Sequence, residues 1–189
     1  MFRMVAVLAS TGARFSQVAR LRVADFQPSA GRLIVPASRK GKGKKVAGAP
    51  VPIGADIVEA LFPAIAGRPK DAPLIERWRS KQVAGSIRWE RTRRAPWQSS
   101  SEINRAWAAI RERAEMPDVI PYALRHSSIV RGIRANLPIR LVAALHDTSV
   151  AMVEQHYGRF IADGLDELAA RSVVPLVPPA ARNVVSLTR

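Results

Sequence analysis

With 189 residues, 48% of them hydrophobic, the chain is long enough for one domain with a real core, with or without a tail, and is no disordered basic arm. Thirty Lys and Arg against fifteen Asp and Glu give a formal charge of +15, which points to a polyanionic partner, nucleic acid ahead of an anionic membrane surface, with a merely soluble basic protein as the plain alternative. The lack of cysteine excludes disulfides, cysteine nucleophiles and thiolate metal sites, no apolar run approaches the roughly 20 residues that span a bilayer, and MFRMVAVLAS is too short and weakly apolar for a signal peptide, so a cytoplasmic protein is expected.

Val5, Leu8 and Ala9 recur at helical spacing before Gly12, which predicts a short helix over about 3–11. Ser16 is placed to cap a second helix carrying Val18, Ala19 and Leu21. Pro28-Ser29-Ala30-Gly31 is turn chemistry. It leads into a strand at Arg32-Leu33-Ile34-Val35-Pro36, a basic loop from Ser38 to Lys45, and a second short strand around Val51-Pro52-Ile53: a β-hairpin with a positive tip. Ile57, Leu61 and Ile65 predict a helix over about 56–66, stopped by Gly67 and Pro69. Residues 67–98, rich in Arg, Trp and Pro, match no template. Ser99 with Glu102 has capping-box spacing ahead of a helix carrying Ile103, Trp107, Ile110 and Ala114. Pro121 suits the first turn of a helix running to Asn136, a short helix follows over 138–145, and Thr148 or Ser149 caps a last one with Val150, Val153, Tyr157, Ile161, Leu165 and Leu168 along one side. The expected architecture is α+β, mainly helical, with a small antiparallel sheet near the front, as one domain over 1–172. The segment 173–189 has three prolines and no helical period, and reads as a tail.

Four features bear on chemistry: Arg14 in TGARFSQVARLRVADF, the loop SRKGKGKK, Arg125 in PYALRHSSIV, and Tyr157 in LHDTSVAMVEQHYGRF. Taken singly, each has a plain structural account: a solvated turn arginine, a solvated loop tip, helix surface charge and a core tyrosine. Together they fit metal-free phosphodiester chemistry. Negative charge builds on the nonbridging oxygens of phosphorus, and two guanidinium forks can hold it at any working pH. A phenol can form a covalent ester that is also a good leaving group, so strands rejoin without ATP, and a neighbouring positive field helps it lose its proton. A lysine can give a departing oxygen its proton.

Over about residues 4–165 this ordered set resembles the tyrosine recombinase (phage integrase) family. TGAR looks like its Thr-Gly-x-Arg turn, with Asp25-Phe26 at the following strand start. The basic hairpin looks like its lysine-bearing hairpin, YALRHSSIVRGI like its His-x-x-Arg-His block, and LHDTSVAMVEQHYGRF like the segment ending in the nucleophile. The resemblance implies an integrase-type catalytic domain that cleaves and rejoins DNA through a 3′-phosphotyrosine. Arg14 and Arg125 would form the phosphate clamp, Lys42 (Lys40 next) the proton donor, and Tyr157 the nucleophile, with no cofactor and no metal. It also implies double-stranded DNA as partner, a homotetramer on DNA with a monomer in its absence, no membrane, and a bacterial or phage-type, nucleoid-associated setting. The tail 173–189 would dock on a neighbouring protomer or stay unstructured.

Two places depart from the family pattern. Tyr122 stands where a histidine is usual; its hydroxyl can donate to phosphate but is a poor base near neutral pH. His146-Asp147 replaces Leu-Gly-His spacing. Because a carboxylate aimed at phosphate repels it, His146 is expected to turn inward as the hydrogen-bond donor, with Asp147 facing away and capping the next helix. His126 reads as structural or as a support to the site, and His156 as an exposed neighbour of Tyr157. Relatives carry a helical DNA-gripping domain ahead of the Thr-Gly-x-Arg block, which here begins almost at Met1, so this piece alone is expected to bind DNA weakly and recombine poorly. The competing readings are a cleavage-deficient DNA-binding regulator of the same fold, a topoisomerase of the same chemistry, and a basic structural or RNA-binding protein.

Overall fold

The computed structural model describes residues 1–38, 47–162 and 165–174 of the chain. Helix α1 (Phe2–Thr11) buries Met4, Val7 and Leu8 on one face and stops at Gly12, whose φ of 61° lets its N–H reach the Leu8 carbonyl. The single-turn α2 (Phe15–Val18) follows. Ser16 does not cap it. Arg14 occupies the cap position, and the Gln17 side-chain oxygen reaches back to the Arg14 N–H at 2.9 Å, so a glutamine at the third position closes the turn.

Strands β1 (Phe26–Gln27), β2 (Arg32–Val35) and β3 (Ala49–Pro52) form an antiparallel sheet in that order, with Leu33 opposite both Phe26 and Val51. Its inward residues Phe26, Leu33, Val35 and Val51 join α1 and helix α3 (Ala55–Ile65) in the larger of two apolar clusters. The helix α3 ends before Gly67, as its spacing suggests.

Residues 67–98, opaque to pattern reading, hold a second sheet: strands β4 (Glu76–Gln82) and β5 (Trp89–Pro96), paired only with each other. Both strands are crowded with Arg, which masks any apolar alternation. Ser99 does cap, accepting from the Ser101 N–H, but it caps a single 3-10 turn. Glu102 turns to the Gln98 N–H and to Arg79 instead of closing a box on Ser99.

Helix α4 (Asn104–Arg113) adds Trp107 to the first cluster, its indole N–H bonded to the Val119 carbonyl at 2.7 Å. Helices α5 (Ala123–Arg134), α6 (Ile139–Leu145) and α7 (Val150–Ala162) enclose the second cluster of Ile129, Ile133, Val142, Ala143, Val153 and Tyr157. Pro121 lies two residues ahead of α5 rather than inside it. Ser149 caps α7, its hydroxyl accepting from the Met152 N–H. Helix α8 spans Leu165–Ser172. No helix among the described residues is long and apolar enough to cross a membrane. The α+β, mainly helical architecture with a small antiparallel sheet near the front is the one expected, and the tail expected over 173–189 falls outside the described residues from 175 onward.

Candidate active site

The two apolar clusters meet along α1 and α5, and the chemistry-bearing residues gather at that seam. The turn after α1 is built tightly. Thr11 is buried, donates to the Val7 carbonyl at 2.6 Å and accepts from the Ala13 N–H. At Gly12 a β-carbon would come within 2.6 Å of the His146 ring and 2.7 Å of Ser128, so the position demands glycine for space as well as for its positive φ.

That closeness lets the Gly12 carbonyl accept from Arg125 at 2.8 Å. The other terminal nitrogen of Arg125 donates to the His146 carbonyl. The guanidinium is therefore 4% exposed and carries no carboxylate partner among the described residues. Burial, and then the charge of Arg14, push its pKa down, yet a guanidinium stays protonated at any working pH. A buried, unneutralised cation is what a site for an anion requires.

Arg14 reaches the same place from the other side. Its Nη1 contacts both the backbone oxygen and Oδ2 of Asp147, each at 3.1 Å. The same Oδ2 accepts from Gln17 Nε2 at 3.2 Å and from the Ser38 N–H at 2.8 Å. Gln17 Nε2 also donates to the Pro36 carbonyl, so the first turn, the root of the β2–β3 loop and the 146–147 segment are tied into one unit. This corrects the expectation for Asp147, which faces the arginine instead of turning away, and caps nothing. The left-handed backbone at Asp147, φ 48°, aims the carboxylate back at the loop. Its pKa is held down: burial alone would raise it, but the hydrogen bonds from Ser38 and the charges of Arg14 and Arg125 outweigh that.

His146 does turn inward, but into the protein and not toward the cleft. Its Nδ1 contacts the Val142 carbonyl at 2.8 Å and its Nε2 the Ser128 hydroxyl at 3.0 Å, and it is 5% exposed. Both ring nitrogens are engaged, so the part of His146 that faces the site is its carbonyl, on Arg125. Burial, with the nearby charges of Arg125 and Arg131, lowers its pKa despite the Val142 hydrogen bond and keeps the ring neutral.

Tyr157, on the inner face of α7, is 8% exposed. Its hydroxyl lies 2.7 Å from Nδ1 of His126. His126 stands one turn along α5 from Tyr122, whose ring meets it edge-on at 5.1 Å between centroids. Burial raises the Tyr157 pKa, and Arg125 pulls against that rise. His126 is thus a direct partner of the tyrosine hydroxyl, a contact that sequence reasoning missed. The signal available for it was its position beside Arg125. His156 is exposed, as expected. Tyr122 is 46% exposed and borders an open cleft of about 760 Å³ with Arg14, Phe15, Ser38, Trp97 and Ser99. Lys42 and Lys40 lie outside the described residues, although Ser38, at the entry to their loop, sits against Asp147. No group of His, Asp or Glu among the described residues is arranged to hold a metal ion.

A mainly helical domain whose seam joins an Arg turn, an Arg-His helix and a tyrosine helix has the build of a tyrosine recombinase catalytic domain. The sequence agrees: residues 3–160 match the profile of the phage integrase family, and the chain belongs to that family. Among solved structures it is similar to the XerA recombinase, with 22% identity, a TM-score of 0.62, and coverage of 93% of this chain and 57% of that one. It is also similar to the Tn1549 transposon integrase in complex with circular intermediate DNA, with 14% identity, a TM-score of 0.57, and coverage of 92% and 57%. The chain thus spans less than three fifths of either structure. No curated protein sequence matches it.

Proposed function

We propose that this domain cleaves and rejoins duplex DNA through a covalent bond between the Tyr157 oxygen and a 3′-phosphate, as part of site-specific recombination or integration. The observation that carries the proposal is the attachment of Arg14 and Arg125 to the consecutive residues Asp147 and His146, with the Tyr157 hydroxyl held by the residue next to Arg125. Arg14 uses only Nη1 on Asp147, and its remaining N–H groups serve the nonbridging oxygens. Asp147, rather than repelling phosphate, is a tether already neutralised by Arg14, Gln17 and Ser38.

In the forward step the Tyr157 oxygen attacks phosphorus, its proton passes to His126, and the bond to the 5′-oxygen breaks. That oxygen takes a proton from a lysine of the hairpin loop, Lys42 with Lys40 next. Reversal of the same transfers reseals the strand. Arg125 and Arg14 stabilise the charge on phosphorus, and Tyr122 donates its hydroxyl to the phosphate from the rim of the cleft. His146 acts through Arg125 as a positioning residue. The circular intermediate DNA in the Tn1549 integrase complex supports DNA as the partner, and the formal charge of +15 supports salt-sensitive affinity. A homotetramer on DNA, with segment 173–189 docking on a neighbour, completes the proposal.

Incubation with a nicked duplex that loses its 5′-terminated fragment on cleavage tests it. A covalent adduct on the wild-type chain, absent in Tyr157→Phe, is expected. No adduct at any duplex sequence tried, with DNA still bound, would instead make the chain a binding regulator.

A further inference from the structure

The β4–β5 ribbon is used by nothing in the site described above. Between Glu76 and Pro96 it carries seven Lys and Arg against two acids. Its root is fastened: Arg77 and Arg79 both reach Glu102, Arg79 also reaches the Pro96 carbonyl, and the Arg77 guanidinium lies 5.2 Å from the centre of the Trp97 ring. Those two arginines are structural.

The rest of the ribbon is different. Cross-strand pairs place Trp78 opposite Arg94, Ser80 opposite Arg91, and Gln82 opposite Trp89. Residues paired across an antiparallel ladder point to the same side of the sheet. Arg91 and Arg94, three apart, would ordinarily face opposite sides. The irregularity between Trp78 and Ser80 adds a residue to β5 and brings both onto the same face. That face therefore carries Trp78, Trp89, Arg91, Arg94, Ser80 and Gln82. Trp78 is 47% and Trp89 66% exposed, and neither Arg91 nor Arg94 forms an ion pair with a described residue. Of the two acids, Glu76 is held by Arg68 at 3.1 Å, and Glu90, paired with Lys81, belongs to the opposite face.

Two large aromatics on one open face are costly to leave in water without a partner. Arginines interleaved with them, and no uncompensated carboxylate, select a polyanion that also offers flat apolar surface, which describes nucleic acid better than an acidic protein. A two-stranded ribbon also has the width that the major groove of duplex DNA admits. We propose that the Trp78–Trp89 face of the β4–β5 ribbon is a second DNA-contacting surface, gripping duplex outside the cleavage site, with Arg91 and Arg94 on phosphates and the indoles against the groove wall. The proposal rests on the DNA reading above and adds to it where the chain holds its substrate.

Two double variants test it. Arg91→Gln with Arg94→Gln should reduce the slope of log affinity against log salt for a 40-base-pair duplex by about two, one phosphate for each arginine. Trp78→Ala with Trp89→Ala should weaken duplex binding about tenfold while leaving binding to polyglutamate unchanged. All four side chains are exposed or border solvent, so circular dichroism should be that of the wild type. At saturating protein, both variants should still form the Tyr157 adduct, which separates this surface from the cleavage proposal. An unchanged salt slope in the arginine variant overturns the inference. So does a tryptophan variant that loses duplex and polyglutamate binding alike, or one that loses only single-stranded DNA.

Discussion

His126 places its Nδ1 2.7 Å from the hydroxyl of Tyr157, although the usual place for a catalytic base in this block is filled by Tyr122. His126, the last residue of the block, lies four residues and one helical turn beyond Tyr122 and on the same side of the helix. Because burial raises the Tyr157 pKa, the hydroxyl is a phenol in the resting protein, and the proposed attack on phosphorus requires a neighbour to take its proton. His126→Gly is expected to slow adduct formation about a hundredfold, with partial recovery when imidazole is added to the buffer. Recovery is the informative part, since a merely structural histidine would not be replaced by free imidazole.

Asp147 is the tether of Arg14. Asp147→Ala should lower the adduct rate at least tenfold with little loss of DNA affinity, because the guanidinium keeps its charge but loses its orientation. Asp147→Asn, which still offers an oxygen to Arg14 and Ser38, should fall between the two. A faster Asp147→Ala enzyme would mean that the carboxylate competes with phosphate instead of aiming the arginine.

Gly12 is expected to tolerate no side chain. Gly12→Ala must accept a left-handed backbone, which costs roughly 1–2 kcal/mol for an L-residue, and must also push the His146 ring away from contacts of 2.6–2.7 Å. Thermal unfolding should show the midpoint falling by several degrees, and the adduct rate should drop with it, since the Gly12 carbonyl holds Arg125.

The stability of the fold should depend on pH through His146. Its folded pKa is lowered from the ordinary 6.5, so the unfolded chain binds the proton more readily. The stabilisation is complete above about pH 6.5, declines as pH falls from there toward the folded value, and is flat below it. Asp147, also lowered, adds a second decline of the same sign beginning near its ordinary value of 3.8. Unfolding midpoints measured from pH 7.5 to 5 should fall for the wild type, and His146→Gln should remove that segment of the slope.

The helices and the β2–β3 hairpin were legible in the sequence because each has an apolar period and a stop: Gly12 after α1, Gly67 after α3 and Ser149 before α7. The β4–β5 ribbon was not. Its two faces are both exposed, so no alternation of apolar and polar residues marks it. Arg14, Arg125 and Tyr157 stood out as candidates through their order along the chain. The direction of Asp147 was not legible, because the three donors that meet its carboxylate, Arg14, Gln17 and Ser38, all lie more than a hundred positions away in the chain. Likewise His126 looked incidental until α5 and α7 were packed together in space.

Whether Arg14 and Arg125 hold one and the same phosphate is answered most directly by adduct rates on the nicked duplex for Arg14→Lys, Arg125→Lys and the pair combined, each corrected for folded fraction. If both guanidiniums grip a single group before Tyr157, losing the second adds little once the first is gone, and the double variant falls far short of the product of the two single losses. Losses that multiply would show the two arginines acting on separate targets, and the assignment of this seam as the site of strand cleavage would fail.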